Sequence, residues 1–183
     1  MASYQVDDTD KVVLVDPITR QKIYNGTNVA VDELRGGNSD EYEFINVRQP
    51  NSRYGTEAKA IKFDDMPSAR EVNRDAEAFV QYASSILSAL ETRKNAVVFC
   101  KNGRSRSPCV VAAFYIIYRG FSLREIKIWF KETYPRQRPM TAAHSSNFPN
   151  IEKFEAVLVL LETCLADPKK TVRGFNLAGK IFW

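Results

Sequence analysis

Ala96-Val-Val-Phe-Cys100-Lys-Asn-Gly103-Arg-Ser-Arg106-Ser107-Pro108 puts a cysteine and an arginine, with five residues between them, at the junction of two apolar runs. Ala96 to Phe99 predicts a short buried strand, and Pro108 through Tyr118 predicts an apolar helix that stops at Gly120. Ser107 is expected as the N-cap and Pro108 as the first helical residue, where a missing N–H does no harm. Gly103 permits a tight backbone between strand and helix. The amides of Lys101 to Arg106 then point inward at a helix mouth, where unpaired donors and the positive end of the dipole attract a dianion such as phosphate. Cys100 at the base feels the same field, which favours thiolate over thiol and lowers its pKa from the free value of about 8.5. Arg106 carries a planar fork able to hold two phosphoryl oxygens at once, which a point-charge lysine does less well.

Cys100-Lys-Asn-Gly103-Arg-Ser-Arg106-Ser107 resembles the signature loop of the cysteine-dependent protein tyrosine and dual-specificity phosphatases. The resemblance runs from about Gln21 to Leu165. Tyr24-Asn-Gly26 is like that family's opening strand and turn, Glu43-Phe-Ile-Asn-Val47 like the next strand, and Ala60-Ile-Lys-Phe63 enters an acidic loop. Asp64-Asp65-Met-Pro67-Ser68 is similar to the general-acid loop, where an Asp is often followed at the second position by Pro, so Asp65 is the expected acid and Asp64 the alternative. The resemblance divides the chain into an N-terminal segment 1–20, a phosphatase domain 21–166 and a C-terminal tail 167–183.

It implies a two-step hydrolysis that needs no metal or cofactor. Cys100 attacks the phosphoester, Asp65 protonates the leaving oxygen, and water then clears the phosphocysteine while Ser107 stabilises the departing thiolate. Lys101, Asn102, Gly103, Arg104, Ser105 and Arg106 are the expected substrate-binding residues. Substrates are expected to be phosphotyrosine and phosphoserine or phosphothreonine proteins. Lys101 and Arg104, at the first and fourth loop positions, are also similar to loops of phosphoinositide and phosphatidylglycerophosphate phosphatases, which keeps a phospholipid headgroup as the alternative. The family usually has His before the nucleophile, and this chain has Phe99. That departure predicts a less depressed Cys100 pKa and weaker activity at neutral pH, and it keeps open a pseudophosphatase that binds phosphorylated partners without hydrolysing them.

Composition fits one enzyme domain: 183 residues, 44% hydrophobic and 26% charged, enough for a sizeable core and unlike a disordered chain. A net charge of +4 suits anionic substrates but falls short of a nucleic-acid footprint, so no nucleic-acid partner is expected. The longest apolar run, Cys109 to Tyr118, is too short to span a bilayer, and the acidic start resembles no signal or transit peptide. A cytoplasmic monomer is the expectation. Three cysteines without paired spacing fit a reducing compartment, with Cys109 and Cys164 in the core. His144, the only histidine, has no ligand-spaced companion and reads as a surface residue.

The remaining segments read as scaffold. Arg70 to Glu91 carries apolar residues at helical spacing, from Val72 and Ala76 to Leu87 and Leu90. Ser122-Leu-Arg-Glu125 is a capping box opening a helix that turns Leu123, Ile126, Trp129 and Phe130 to the core. A last helix is expected from near Asn150, burying Phe154, Val157, Leu158, Leu161 and Leu165. Tyr134 to Pro139 reads as loop, with Arg136 and Arg138 as solvated charges or, alternatively, a second anion contact. The apolar end from Val172 to Trp183 is either folded back or a docking segment. The fold class expected is α/β: a central mixed sheet flanked by helices in three layers, as in dual-specificity phosphatases.

Overall fold

The structure, a computed structural model, describes residues 11–37, 39–47, 69–137, 149–167, 169, 171–172 and 175–176. Strands β1 (Lys11–Val15), β2 (Lys22–Gly26), β3 (Tyr42–Asn46) and β4 (Asn95–Phe99) form one sheet in the order β1-β2-β4-β3. β1 runs antiparallel to β2, while β2 and β3 both run parallel to β4, with Gly26 and Asn46 each level with Phe99. The sheet is therefore mixed, as expected. Its three parallel strands end at one edge, the edge at which open α/β sheets bind ligands.

The helices are α1 (Asn28–Arg35), α2 (Ala69–Glu91), α3 (Arg106–Arg119), α4 (Leu123–Gln137) and α5 (Glu155–Ala166). From β2 the chain passes over β4 to β3, and from β3 it steps back to β4. Right-handed crossovers in opposite directions put their helices on opposite faces. Accordingly, Val31 and Leu34 of α1 pack with Tyr24, Val97 and Phe99 on one face. On the other, α2, α3 and α5 pack over Val12, Ile23, Ala96 and Val98. The alternation along β4, Ala96 and Val98 one way and Val97 and Phe99 the other, is that of a strand buried on both sides.

Helix α3 lies at the centre of the larger layer, in contact with α2, α4 and α5. Every residue from Ser107 to Arg119 is buried, which explains an apolar run without amphipathic spacing. Phe114 and Tyr115 are wholly inaccessible, and burial of such side chains stabilises by about 1.5–3 kcal/mol each. The helix stops at Gly120, whose φ of 68° is left-handed, and the Phe121 amide donates back to the Tyr115 carbonyl at 3.2 Å. Arg119 forks onto the buried Asp16 carboxylate at 2.6 and 3.1 Å, pinning the β1–β2 turn to the end of α3. Thr19 donates to the same carboxylate through its amide and hydroxyl.

Several expectations hold and three need correction. The capping box forms in both directions: the Ser122 amide and hydroxyl donate to Glu125 Oε2 at 2.8 and 2.7 Å, and the Glu125 amide donates to Ser122 Oγ at 3.2 Å. Leu123, Ile126 and Phe130 are buried and Trp129 packs partly buried beside them. Helix α3, however, starts at Arg106 with Ser105 as N-cap, so Ser107 and Pro108 lie inside its first turn. First-turn amides have no partner four residues back, so Pro108 is tolerated there as well. Helix α4 continues through Tyr134 to Gln137, where the sequence reads as loop. The wholly buried Tyr134 stacks on Phe130 at 4.8 Å, and that packing holds the last turn despite Pro135. A 3-10 turn at Glu152–Phe154 precedes α5, with Phe154, Val157, Leu158 and Leu161 buried as expected and Leu165 partly so.

Two elements lie outside the sequence-based expectation, β1 and α1. The tail contributes a small hairpin, β5 (Thr171–Val172) with β6 (Phe175–Asn176), whose Val172 joins the main core. No helix among the described residues is long and apolar enough to cross a membrane.

Candidate active site

Cys100 follows directly on β4, and residues 101–105 turn the chain into α3. Gly103 has φ 62°, a conformation glycine adopts without strain, which explains the residue at the apex. One hydrogen bond holds the end of β4 and two tie the loop to its surroundings. The Val47 amide donates to the Phe99 carbonyl at 3.0 Å, the Asn150 amide to the Arg104 carbonyl at 2.7 Å, and Asn25 Nδ2 to the Gly103 carbonyl at 3.2 Å. With carbonyls held from outside, amides remain for the inside. Those of Asn102 and Ser107 point at the Cys100 sulfur.

Cys100 is 4% exposed, and Ser107 Oγ lies 3.3 Å from its Sγ. Burial pushes the thiol pKa up, but the Ser107 hydroxyl, the Ser107 and Asn102 amides and the Arg106 charge together outweigh it, so the net direction is down. Ser107 thus faces the sulfur, not the helix end, and Ser105 holds the N-cap position without a side-chain capping hydrogen bond. Cys109, one turn into α3, goes the other way: burial and the neighbouring Cys100 charge hold it well above the ordinary thiol value. None of the three cysteines is in a disulfide, and Cys109 and Cys164 are core residues.

Lys101 and Asn102 are exposed at the rim, Gly103 is buried, and Arg104, Ser105 and Arg106 are half-buried. The expected substrate-binding residues therefore share one turn around Cys100. Asp64, Asp65, Arg138 and His144 lie outside the described residues, and of Arg136 only the backbone, in the last turn of α4, is described. Phe99 is wholly buried with Tyr24, Val31 and Val97 on the α1 face, so the position before Cys100 is a core position here. Among the described residues no group of three or more His, Cys, Asp or Glu is placed to hold a metal.

Two site residues escape a reading of the sequence. Asn25, wholly buried in β2, supplies the side-chain anchor of the loop, and its Oδ1 has no hydrogen-bond partner. Its signal was a polar residue inside an apolar strand, masked by the turn-like pair Asn25-Gly26. Tyr82 of α2 is 7% exposed and lies within the field of Arg106; burial raises its phenol pKa to about 12 against the pull of that charge. A Tyr at a core position of a helix is its only trace in the sequence.

Comparison with known proteins agrees with this geometry. The family model described as "Dual specificity phosphatase, catalytic domain" matches residues 41–148, more than half of the chain. A search of curated proteins found no match. Among solved structures, human DUSP28 superposes with a TM-score of 0.56 at 21% identity, covering 91% of this chain and 100% of its own. A mouse protein assigned as a dual specificity phosphatase, complexed with zinc tungstate, gives 0.55 at 20% identity over 90% of this chain and 94% of its own. A leucine rich repeat and phosphatase domain containing protein from Entamoeba histolytica gives 0.52 at 15% identity, covering 81% and 91%. The likeness in fold thus extends beyond the matched segment. A cysteine seated at a helix mouth on a mixed sheet, within a segment that the catalytic-domain model matches, places this chain in the dual-specificity phosphatase family.

Proposed function

We propose that the protein is a metal-independent phosphomonoester hydrolase acting on phosphotyrosine and phosphoserine or phosphothreonine proteins through a phosphocysteine. The observation that carries the reading is the Cys100–Ser107 contact at 3.3 Å, with the thiol pKa lowered at the mouth of α3. In the first step the Cys100 thiolate attacks phosphorus. The S–P bond forms as the ester P–O bond breaks, and Asp65 passes its proton to the leaving oxygen. In the second, water attacks phosphorus and gives a proton to the Asp65 carboxylate. The P–S bond then breaks, and the thiolate returns to the Ser107 hydroxyl.

Arg106 and the amides of residues 101–106 carry the phosphoryl oxygens in both steps, with Asp64 as the alternative acid. Such preorganised donors act without reorganisation at the moment of reaction. Three cysteines outside any disulfide suit a reducing, cytoplasmic setting. Lys101 and Arg104 on the loop favour one second reading, a phosphoinositide or phosphatidylglycerophosphate-type lipid phosphatase. Phe99 favours another, a pseudophosphatase.

Hydrolysis of a small aryl phosphate with chelator present, by the wild type and by Cys100→Ser, tests the proposal. Turnover by the wild type alone supports it, and phosphopeptides set against phosphoinositides then choose the substrate. Silence from both proteins, with phosphate still raising the thermal midpoint, would mean a binding module.

A further inference from the structure

We infer that the cavity beside the Cys100 loop is a docking site for an acidic peptide segment of the phosphorylated protein substrate, an inference that rests on the protein-phosphatase reading above. The cavity, about 680 Å³, lies between the loop, α4 and the 3-10 turn that leads into α5. That volume is in the range of ligand clefts and holds a few side chains. Arg104 and Ser105 form its wall on the loop side, so a chain whose phosphate sits in the loop has the cavity beside it. The Asn150 amide, bonded to the Arg104 carbonyl at 2.7 Å, joins the far wall to the loop.

The charge is one-sided. Lys127 and Lys131, one helical turn apart on α4, and Lys153 on the 3-10 turn add three cations to Arg104. Among the described lining residues Glu152 is the one carboxylate, while Glu155 pairs with Lys127 from outside the lining. Phe130 and Ile151 close the base of the cavity but are 1% and 5% exposed, so they shape it and offer a ligand almost no surface. A cationic cavity that opens beside the loop fits a peptide that continues from the phosphorylated residue and turns carboxylates to the lysines. It fits a membrane less well, because the cations line a concavity. Charge of this arrangement acts on encounter and partner choice more than on chemistry.

The test compares three substrates: a small aryl phosphate, a phosphotyrosine peptide flanked by Asp and Glu, and the same peptide with neutral flanks. Each is assayed with the wild type and a Lys131→Glu/Lys153→Glu variant, at low and high salt. Peptide binding is followed by fluorescence anisotropy on Cys100→Ser, with and without the two lysine changes. The expected result is a preference of about tenfold in kcat/KM for the acidic peptide, lost in the variant and in high salt, with aryl phosphate turnover unchanged. Equal use of both peptides by the wild type at low salt overturns the inference, as does a preference that survives in the variant. If the wild type fails on the aryl phosphate the phosphatase reading falls, and anisotropy on the Cys100→Ser proteins still decides the docking site. Co-sedimentation with phosphatidylserine-containing vesicles that depends on the two lysines, without peptide discrimination, assigns the cavity to a lipid surface and overturns the inference.

Discussion

Replacing Ser107 with alanine isolates the interaction on which the Cys100 thiolate most depends. Ser107 is 0% exposed, and its hydroxyl lies 3.3 Å from the Cys100 sulfur, so the deletion leaves a gap of one oxygen that is too small for water. A hydrogen bond to a charged group is worth about 1.5–3 kcal/mol, and the lower figure suits a sulfur acceptor at this distance. The Ser107 and Asn102 amides and the Arg106 charge remain, so the thiolate is weakened and not abolished. Because the folded pKa is depressed, alkylation by iodoacetamide rises with pH and levels off once the thiolate dominates. Ser107→Ala should move that curve to higher pH. On its rising limb, about 1.4 kcal/mol corresponds to a tenfold smaller thiolate fraction, so alkylation at acid pH should be about tenfold slower. Ser107→Thr retains the hydroxyl and should keep the original curve. A Ser107→Ala profile that superposes on the wild type, with thermal unfolding showing an intact fold, would refute the assignment of the hydroxyl as the thiolate's main support.

Asp65→Asn should lower aryl phosphate turnover by about 10²- to 10⁴-fold while phosphate still raises the thermal midpoint; full activity together with a dead Asp64→Asn would move the acid one residue back. Asn25→Ala should destabilise by about 1–3 kcal/mol, since it strips the buried Gly103 carbonyl of its side-chain donor, and should cut turnover beyond what the fraction unfolded explains; unchanged kcat would sever Asn25 from the loop. Asp16→Asn should cost about 3–5 kcal/mol in a denaturant titration by leaving Arg119 buried without its charge partner. Burial alone raises the Asp16 pKa, but Arg119 and Thr19 outweigh it and lower the net value below 3.8, so the carboxylate's stabilisation is complete above that pH and is lost as pH falls through the folded pKa. The wild type should therefore lose more stability than Asp16→Asn across that acid window, and parallel acid unfolding curves would contradict the linkage.

What could be read from the sequence is what neighbouring residues decide. Strand, glycine turn and helix from Ala96 to Gly120 carry their own signals within two dozen residues, as does the capping box at Ser122. The rest depends on partners far along the chain. Asn25 meets Gly103 from 78 residues away, and nothing near Asn25 announces the carbonyl it serves. Ser105 and Ser107 are equally good caps by residue type, yet Ser107 turns to the Cys100 sulfur and Ser105 holds the N-cap position without a side-chain capping bond. Pro135 reads as a breaker because its sequence neighbours do not reveal that Tyr134 is wholly buried against Phe130.

The sheet's two faces explain how the chain manages with Phe99 before Cys100. Side chains alternate along β4, and Phe99 falls on the α1 face among Tyr24, Val31 and Val97, where burying a polar ring without a partner is costly. A brace for the loop must then come from elsewhere. Asn25 is paired in register with Val98, and residues paired in a parallel ladder share a face, so its side chain lies on the α3 side, beneath the loop. From there it reaches the Gly103 carbonyl with a hydrogen bond that carries no charge and does not titrate. Loop support is thereby separated from protonation. A histidine at 99 would couple loop geometry to its own pKa, whereas here the ionisation of Cys100 rests with the thiol itself and the donors from Ser107, Asn102 and Arg106.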